Sequence, residues 1–242
     1  MSSNYYTRCF TSSMPKTIQT VEEYTGEKIV ALGCTQLDEE KFPKQSQRKK
    51  ILNDWISFFQ NNPNAVENLH FTTRMNQQLF DAICCQKNLT ELHIKWGVYP
   101  DLSNIVNLQK LECLVLCAGA STKDISPLGK LTKLEALHLS TVGAHDYSAL
   151  SNLHGLKQLG IHSGMDSYIK VNDLNFLYEL KELKNFHTTG FRLIDRDYSP
   201  VLSLKNLEFL SVNMPAYDDK IWKNKFAEHF SDIACNKHLN LY

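Results

Sequence analysis

Leucines fall at a fixed spacing through the middle and the C-terminal half of the chain. The run from Asp124 to Leu139 shows the unit: Asp-Ile-Ser-Pro-Leu-Gly-Lys-Leu-Thr-Lys-Leu-Glu-Ala-Leu-His-Leu. An anchor, Leu131, is followed by Leu134, Leu137 and Leu139, the pattern Leu-x-x-Leu-x-x-Leu-x-Leu. The same frame holds Leu108, Leu111, Leu114 and Leu116, then Leu153, Leu156, Leu159 and Ile161. It returns with substitutions as Leu180, Leu183, Phe186 and Thr188, and as Leu204, Leu207, Leu210 and Val212. Seven residues ahead of the five anchors stand Asp101, Asp124, Asp146, Asp173 and Asp197. Self-similarity with a period in the low twenties marks a solenoid, in which each unit buries its apolar side only against its neighbours.

Each part of the unit predicts an element. Leu-x-Leu is a period-two strand with both leucines turned to one face. The leucines three and six residues earlier sit where the chain turns inward and fill the space behind that strand. Ser126 ahead of Pro127, and Ser199 ahead of Pro200, read as an N-cap followed by proline at the first helical position. The anchors Leu108, Leu131 and Leu153 follow one another closely. Little chain is left for the convex side, which is expected to carry single helical or 3₁₀ turns.

Aligned on the residue that opens Leu-x-x-Leu-x-Leu, units begin at Ile29, Val66, Leu89, Leu111, Leu134, Leu156, Leu183 and Leu207. This predicts about eight parallel strands stacked in chain order along a concave face. The long first step contains an amphipathic helix over Gln47–Asn61, with Ile51, Leu52, Trp55, Ile56 and Phe59 on one stripe. A second helix is expected from about Asn76 to Lys87, carrying Leu79, Phe80, Ile83 and Cys84. The longer step after Leu156 holds an insertion near 164–170. Ile221, Trp222, Phe226, Phe230 and Ile233 predict a closing helix. Residues 1–28 are polar and read as an arm or an edge-covering segment. Residues 29–242 read as one domain: an N-terminal cap over 29–65, repeats over 66–215 and a helical cap over 216–242.

The Asp124–Leu139 motif resembles the repeats of leucine-rich-repeat proteins of the short, internalin-like type, over roughly Ile29 to Val212. The resemblance implies an α/β solenoid, a horseshoe with a parallel concave sheet and capped ends. It also implies protein recognition rather than catalysis. One departure concerns the turns. Such repeats place asparagine three residues after the last strand leucine, where its amide bonds the turning backbone. Here those places hold Arg74, Gly97, Gly119, Val142, Gly164, Phe191 and Pro215, so the turns must be satisfied by other groups.

Composition narrows the function classes. The 242 residues carry 26 Lys plus Arg against 26 Asp plus Glu, a balance that favours neither nucleic acid nor an anionic membrane surface. The first ten residues lack the apolar stretch of a signal peptide, and no apolar run has membrane-spanning length. Seven cysteines, with Cys84 and Cys85 adjacent, suit a reducing compartment. A cytoplasmic, monomeric protein is expected.

Strand alternation turns the residues between the leucines toward the concave side. The central column reads His70, His93, Val115, His138, Gly160, His187 and Ser211. The next reads Thr72, Lys95, Cys117, Ser140, His162, Thr189 and Asn213. The expected partner-binding residues are His70, His93, Lys95, Trp96, Val115, Cys117, His138, Ser140, His162, His187 and Asn213. Histidines with ordinary pKa values near 6.5 would charge this face on mild acidification. The leading expectation is an adaptor or inhibitor gripping one protein partner, including an immunity-type inhibitor of a toxin domain. The competing reading is a metal-dependent or Cys-His hydrolase built on the concave histidines and cysteines. His70, His93, Glu91 and Cys113 are acceptable ligand types for zinc, yet parallel strands do not oblige side chains to converge. An open sheet also gives Cys117 no oriented base in a pocket. No catalytic residue, metal ion or cofactor is therefore expected.

Overall fold

The computed structural model describes residues 15–163, 168–235 and 239–241. The eight expected segments form strands Ile29–Leu32, Asn68–Phe71, Glu91–Ile94, Cys113–Ala118, Ala136–Thr141, Gln158–His162, Asn185–Thr189 and Phe209–Val212. The first is set two residues off the expected frame: Val30 and Leu32, not Leu32 and Cys34, stand beside Leu69 and Phe71, and Ile29 is exposed. They stack in chain order as one parallel sheet. The sheet is longer than the leucine frame predicts, with ten strands. Thr17–Ile18 pairs with Ala31–Leu32, and Leu239–Leu241 pairs with Leu210–Val212. Thr17–Ile18 joins through backbone bonds and has no leucine of the frame. Leu239-Asn240-Leu241 repeats the Leu-x-Leu doublet in register with Leu210 and Val212 but has Asn236 where the frame puts the preceding leucine. Positions 1–14 of the predicted arm, and 164–167 of the predicted insertion, lie outside the described residues.

The leucines fill one continuous interior. Leu111, Leu114, Leu116, Leu134, Leu137, Leu139, Leu156, Leu183, Phe186 and Leu210 are at most 1% exposed. The convex side carries the expected short turns: 3₁₀ segments over Ser103–Asn107, Ser126–Lys130, Ser148–Asn152, Asn175–Glu179 and Ser199–Ser203. Their caps differ from the sequence expectation. Ser126 and Ser199 are the first residues of their turns, and the repeated aspartate does the capping. Asp101, Asp124, Asp146, Asp173 and Asp197 accept the amide two residues on, from Ser103, Ser126, Ser148, Asn175 and Ser199, at 2.8 to 2.9 Å. A carboxylate oxygen takes an otherwise orphaned N–H in every one of these coils.

The turns that lack asparagine are held from coil to coil. Gly119 donates its amide to the Gly97 carbonyl at 2.9 Å, and Met75 to that of Trp96 at 2.8 Å. The buried Tyr99 hydroxyl donates to the Cys117 carbonyl at 2.7 Å, and the Thr122 hydroxyl to the Tyr99 carbonyl at 2.9 Å. Gly97 is required here, because a Cβ would stand 2.6 Å from that of Met75 and 2.7 Å from the Tyr99 ring. Later turns run as a second short parallel pair, Ile169–Val171 beside Phe191–Leu193.

Helices close both ends. Helix α1, Gln45–Asn61, buries Ile51, Trp55 and Phe59 four residues apart. The Trp55 indole donates to the Gln19 carbonyl at 2.9 Å, tying the first strand's segment to the cap. Helix α2, Gln77–Ile83, is capped by Asn76, whose side chain accepts from the Leu79 amide at 2.9 Å. The wholly buried Gln86 donates to the carbonyls of Phe59 and Asn62, satisfying the end of α1. At the far end, helix α3, Ala216–His229, buries Trp222 and Phe226. Arg196, in the left-handed region with φ of 60°, reaches the buried Asp218 of α3 at 2.6 and 2.8 Å. Among the described residues no helix is long and apolar enough to cross a membrane.

Leu137 is fully buried between coils on either side. Leu137→Ala is expected to lower unfolding free energy by about 2–5 kcal/mol, through lost transfer energy and a cavity. Denaturant titration of parent and variant measures it; a loss under about 0.5 kcal/mol, the size of an ordinary surface change, would contradict this packing.

Candidate functional site: the concave histidine surface

Sheet register sets the site. His70 lies beside His93, His93 beside Val115, Val115 beside His138 and His138 beside Gly160. Gly160 then lies beside His187, and His187 beside Ser211. In the next column Cys117 lies beside Ser140, and His162 beside Thr189. Neighbouring strands are about 4.8 Å apart, so side chains in one column touch.

That crowding buries much of the row. His70 and His138 are 4% and 5% exposed, and Gly160 and Ser211 are buried with them. His93, Val115, Cys117, Ser140, His162, His187 and Asn213 are half-buried. Lys95 and Trp96 are exposed, just past the end of the Glu91–Ile94 strand.

Val115 divides the histidines into two groups. In the first, the His70 and His93 rings lie 4.1 Å apart, centre to centre. Glu91, two residues before His93 on the same face, joins them, and the ligating atoms of all three lie within 4.8 Å of one another. Asn68 is Glu91's strand neighbour and donates to its carboxylate at 3.1 Å, while the Thr90 hydroxyl donates to the Asn68 amide oxygen at 3.0 Å. The Cys113 sulfur is 3.8 Å from His93 Nε2.

In the second group His162 stacks on His138, with centroids 4.9 Å apart, and meets His187 at 4.6 Å. His162 shares one proton with His138 Nδ1 through its Nε2, at 3.0 Å, and its Nδ1 is 3.0 Å from the Thr189 hydroxyl. Gly160 makes this possible, because a Cβ there would overlap both imidazoles.

Burial and mutual contact overturn the expectation of ordinary histidine pKa values. Burial holds His138 down to about 3, with His162, His187 and His93 adding repulsion. Burial first, then His187, holds His162 down to about 4. His93 lies at about 4, from burial and then from His70. His70 and His187 are lowered by burial. Between pH 5.5 and 7.5 folded His93, His138 and His162 stay uncharged. Burial also pushes the Cys117 thiol up, the reverse of what a nucleophilic thiolate needs.

A feature of the surface beyond the predicted residues is a set of arginine–aromatic pairs on the segments that follow concave strands. Arg74 lies over Trp96 at 4.5 Å, Arg192 over Tyr168 at 3.9 Å and Arg196 over Tyr217 at 3.8 Å. These aromatics are 41%, 54% and 63% exposed. Arg74 occupies a place where the repeat frame expects asparagine, and that substitution is its signal in the sequence.

A fixed concave column register, short coils of nearly constant length and tight convex turns leave one architecture. The chain has a leucine-rich-repeat fold of the short-repeat type. Solved structures similar to this leucine-rich-repeat chain include internalin C2 of Listeria monocytogenes, at 24% identity and a TM-score of 0.48, covering 64% of this chain and 67% of that one. A leucine-rich-repeat protein of Leptospira interrogans matches at 14% identity and 0.44, over 74% of this chain and 55% of that one. Internalin F of Listeria monocytogenes matches at 19% and 0.36, over 62% of each chain. No protein-family model and no curated protein matches the sequence.

The lowered histidines make acid sensitivity a property of folding. Their folded values lie below the unfolded reference of about 6.5, so the unfolded chain takes up protons first as pH falls. Stability contributed by neutral His138 and His162 is complete above about pH 6.5 and is lost as pH falls toward about 3 to 4. Each approaches a slope of about 1.4 kcal/mol per pH unit within that window. Denaturant midpoints measured between pH 7.5 and 4.5 should fall with acidification, and less steeply in His162→Gln. An identical pH profile in that variant would show that His162 is not held neutral by the fold.

Proposed function

We propose that this leucine-rich-repeat chain is a protein-binding module that grips one protein partner with its concave face and the rim beside it. The observation that carries the reading is the set of exposed aromatics, Trp96, Tyr168 and Tyr217, each backed by an arginine. Tyr, Trp and Arg concentrate interface energy, because they bury large areas with few torsions to freeze. A guanidinium over each ring fixes its orientation before binding and lowers the entropy lost on contact. The concave sheet behind them is rigid and polar, which suits it to specificity.

The binding surface in this reading comprises Lys95, Trp96, Cys117, Ser140, His162, Asn213, the rim rings of Tyr168 and Tyr217 and the accessible edges of His93, Val115 and His187, with His70 and His138 supporting them from beneath. A module that binds without chemistry of its own acts as an adaptor or an inhibitor, and an immunity-type toxin inhibitor is one instance. Cys34, Cys84, Cys85 and Cys117 are thiols, in keeping with a reducing compartment, and our reading places the protein in the cytoplasm as a monomer.

The test is capture of a partner from the native host, followed by titration against purified variants. Trp96→Ala should weaken binding by about 2 kcal/mol or more, as expected of an interface anchor. Lys130→Ala, on a convex 3₁₀ turn, should change it by less than about 0.5 kcal/mol. A larger loss from the convex change would place the interface elsewhere.

A further inference from the structure

The His70, Glu91 and His93 cluster has the composition and the closeness of a ligand set. Two imidazoles and a carboxylate present donor atoms within 4.8 Å of one another. Around a tetrahedral ion with bonds of about 2.0–2.1 Å, neighbouring donors stand roughly 3.3–3.4 Å apart. The shortfall is within reach of small rotations about side-chain torsions. The backbone already supplies the frame. His70 and His93 are register partners on adjacent parallel strands, and Glu91 shares the face of His93 one pleat away.

Hydrogen bonds outside the cluster also fit a ligand role. Metal-bound carboxylates are oriented by an outer donor, and Asn68 holds Glu91 in that way, itself held by Thr90. His70 is buried, whereas Glu91 and His93 are half-buried, so the cluster has one anchored side and one side open to the concave surface. The second histidine group has no such carboxylate on the neighbouring column, where Ala136, Gln158 and Asn185 stand.

We propose that His70, Glu91 and His93 form a binding site for a divalent ion of the zinc type, with its remaining position open toward the concave face. Two nitrogen donors and one carboxylate suit a borderline cation, whereas all-oxygen sets suit calcium or magnesium. The bound ion would offset the Glu91 carboxylate and place net positive charge among the surrounding neutral imidazoles. Its open position can take water or a donor from a docked molecule. The site does not depend on the protein-binding reading, since it needs only the chain's own residues.

The experiment strips the full chain with a chelator, then titrates it with Zn²⁺ by calorimetry and with Co²⁺ by visible absorption. One saturating equivalent per chain is expected, with a tetrahedral or five-coordinate cobalt spectrum. Asn68→Ala should weaken zinc binding at least about 10-fold, and the ligand changes Glu91→Gln and His93→Gln should weaken it further. His187→Gln serves as the control in the other group and should leave binding unchanged. Circular dichroism of each metal-free variant checks folding, and Glu91→Gln, isosteric and half-buried, keeps the comparison available if a histidine variant unfolds. Zinc should also raise the parent's melting temperature, an effect absent in Glu91→Gln. Absence of saturable binding would overturn the proposal, as would binding that Glu91→Gln leaves unchanged or that is lost in His187→Gln instead.

Discussion

No coil of this chain can cover its own leucines. Leu134, Leu137 and Leu139 reach zero or 1% exposure only because another coil lies on each side. Apolar burial at roughly 25 cal/mol per Å² therefore acts between coils, and that single requirement sets the rest. Coils that must stack place their strands in parallel, one step apart, with backbone bonds locking the register. A locked register makes each position in the repeat a column running the length of the sheet. The ends have no further leucine coil, and aromatics of the capping helices cover them: Trp55 and Phe59 at one end, Trp222 and Phe226 at the other. The recurring aspartate serves the same end from the convex side. It ties down a loose amide in a turn too short to form a helix, so the coil can stay short.

The concave columns inherit both the order and the crowding. Residues on strands about 4.8 Å apart, on a face with no room to splay, must bury one another, and histidines placed side by side lose hydration and repel when charged. The histidine column of the floor is consequently largely closed, with His93, His138 and His162 neutral, while Lys95 and Trp96 project past the end of their strand. In the proposed protein-binding role, contact would fall on the rim aromatics and the outer column, with the floor setting shape and hydrogen-bonding pattern. The cost of forcing charge onto His138 and His162 falls on folding.

From Asn68 onward the strand positions, the column assignments and the convex 3₁₀ turns are legible in the sequence because two periods generate them, a short one along each strand and a long one from coil to coil. The first strand, separated from the next by a whole helix, is set two residues off the frame read for it. Both periods are side-chain rules that leave a mark at every repeat. The edge strand Thr17–Ile18 leaves none, since pairing through backbone atoms asks little of the side chain, and Leu239–Leu241 keeps only the final Leu-x-Leu, with Asn236 where the frame has a leucine. The aspartate is visible five times over, yet residue types alone point to Ser126 and Ser199 as the caps; only the geometry separates the residue that accepts the bond from the one that donates it. The histidine column reads correctly as a column and wrongly as a titrating one. Its burial depends on how far each ring leans over its neighbour, and Gly160 decides that for His138 and His162 by leaving a gap that two imidazoles fill.

The two histidine groups show how little separates one chemistry from another on the same scaffold. Both come from the same columns and both are buried and neutral. What differs is the adjoining column: Asn68 and Glu91 beside the first group, Ala136, Gln158 and Asn185 beside the second. A carboxylate fixed by an amide gives His70 and His93 a third donor of opposite charge to a cation. Hydroxyl and imidazole partners instead link His138, His162 and Thr189 in a chain of hydrogen bonds. Val115 keeps the two apart, so charge brought to one group reaches the other only through the weak repulsion between His93 and His138. A repeat architecture can thus hold the leucine interior constant while single substitutions in one concave column turn a stretch of floor from a self-satisfied hydrogen-bond network into a ligand set.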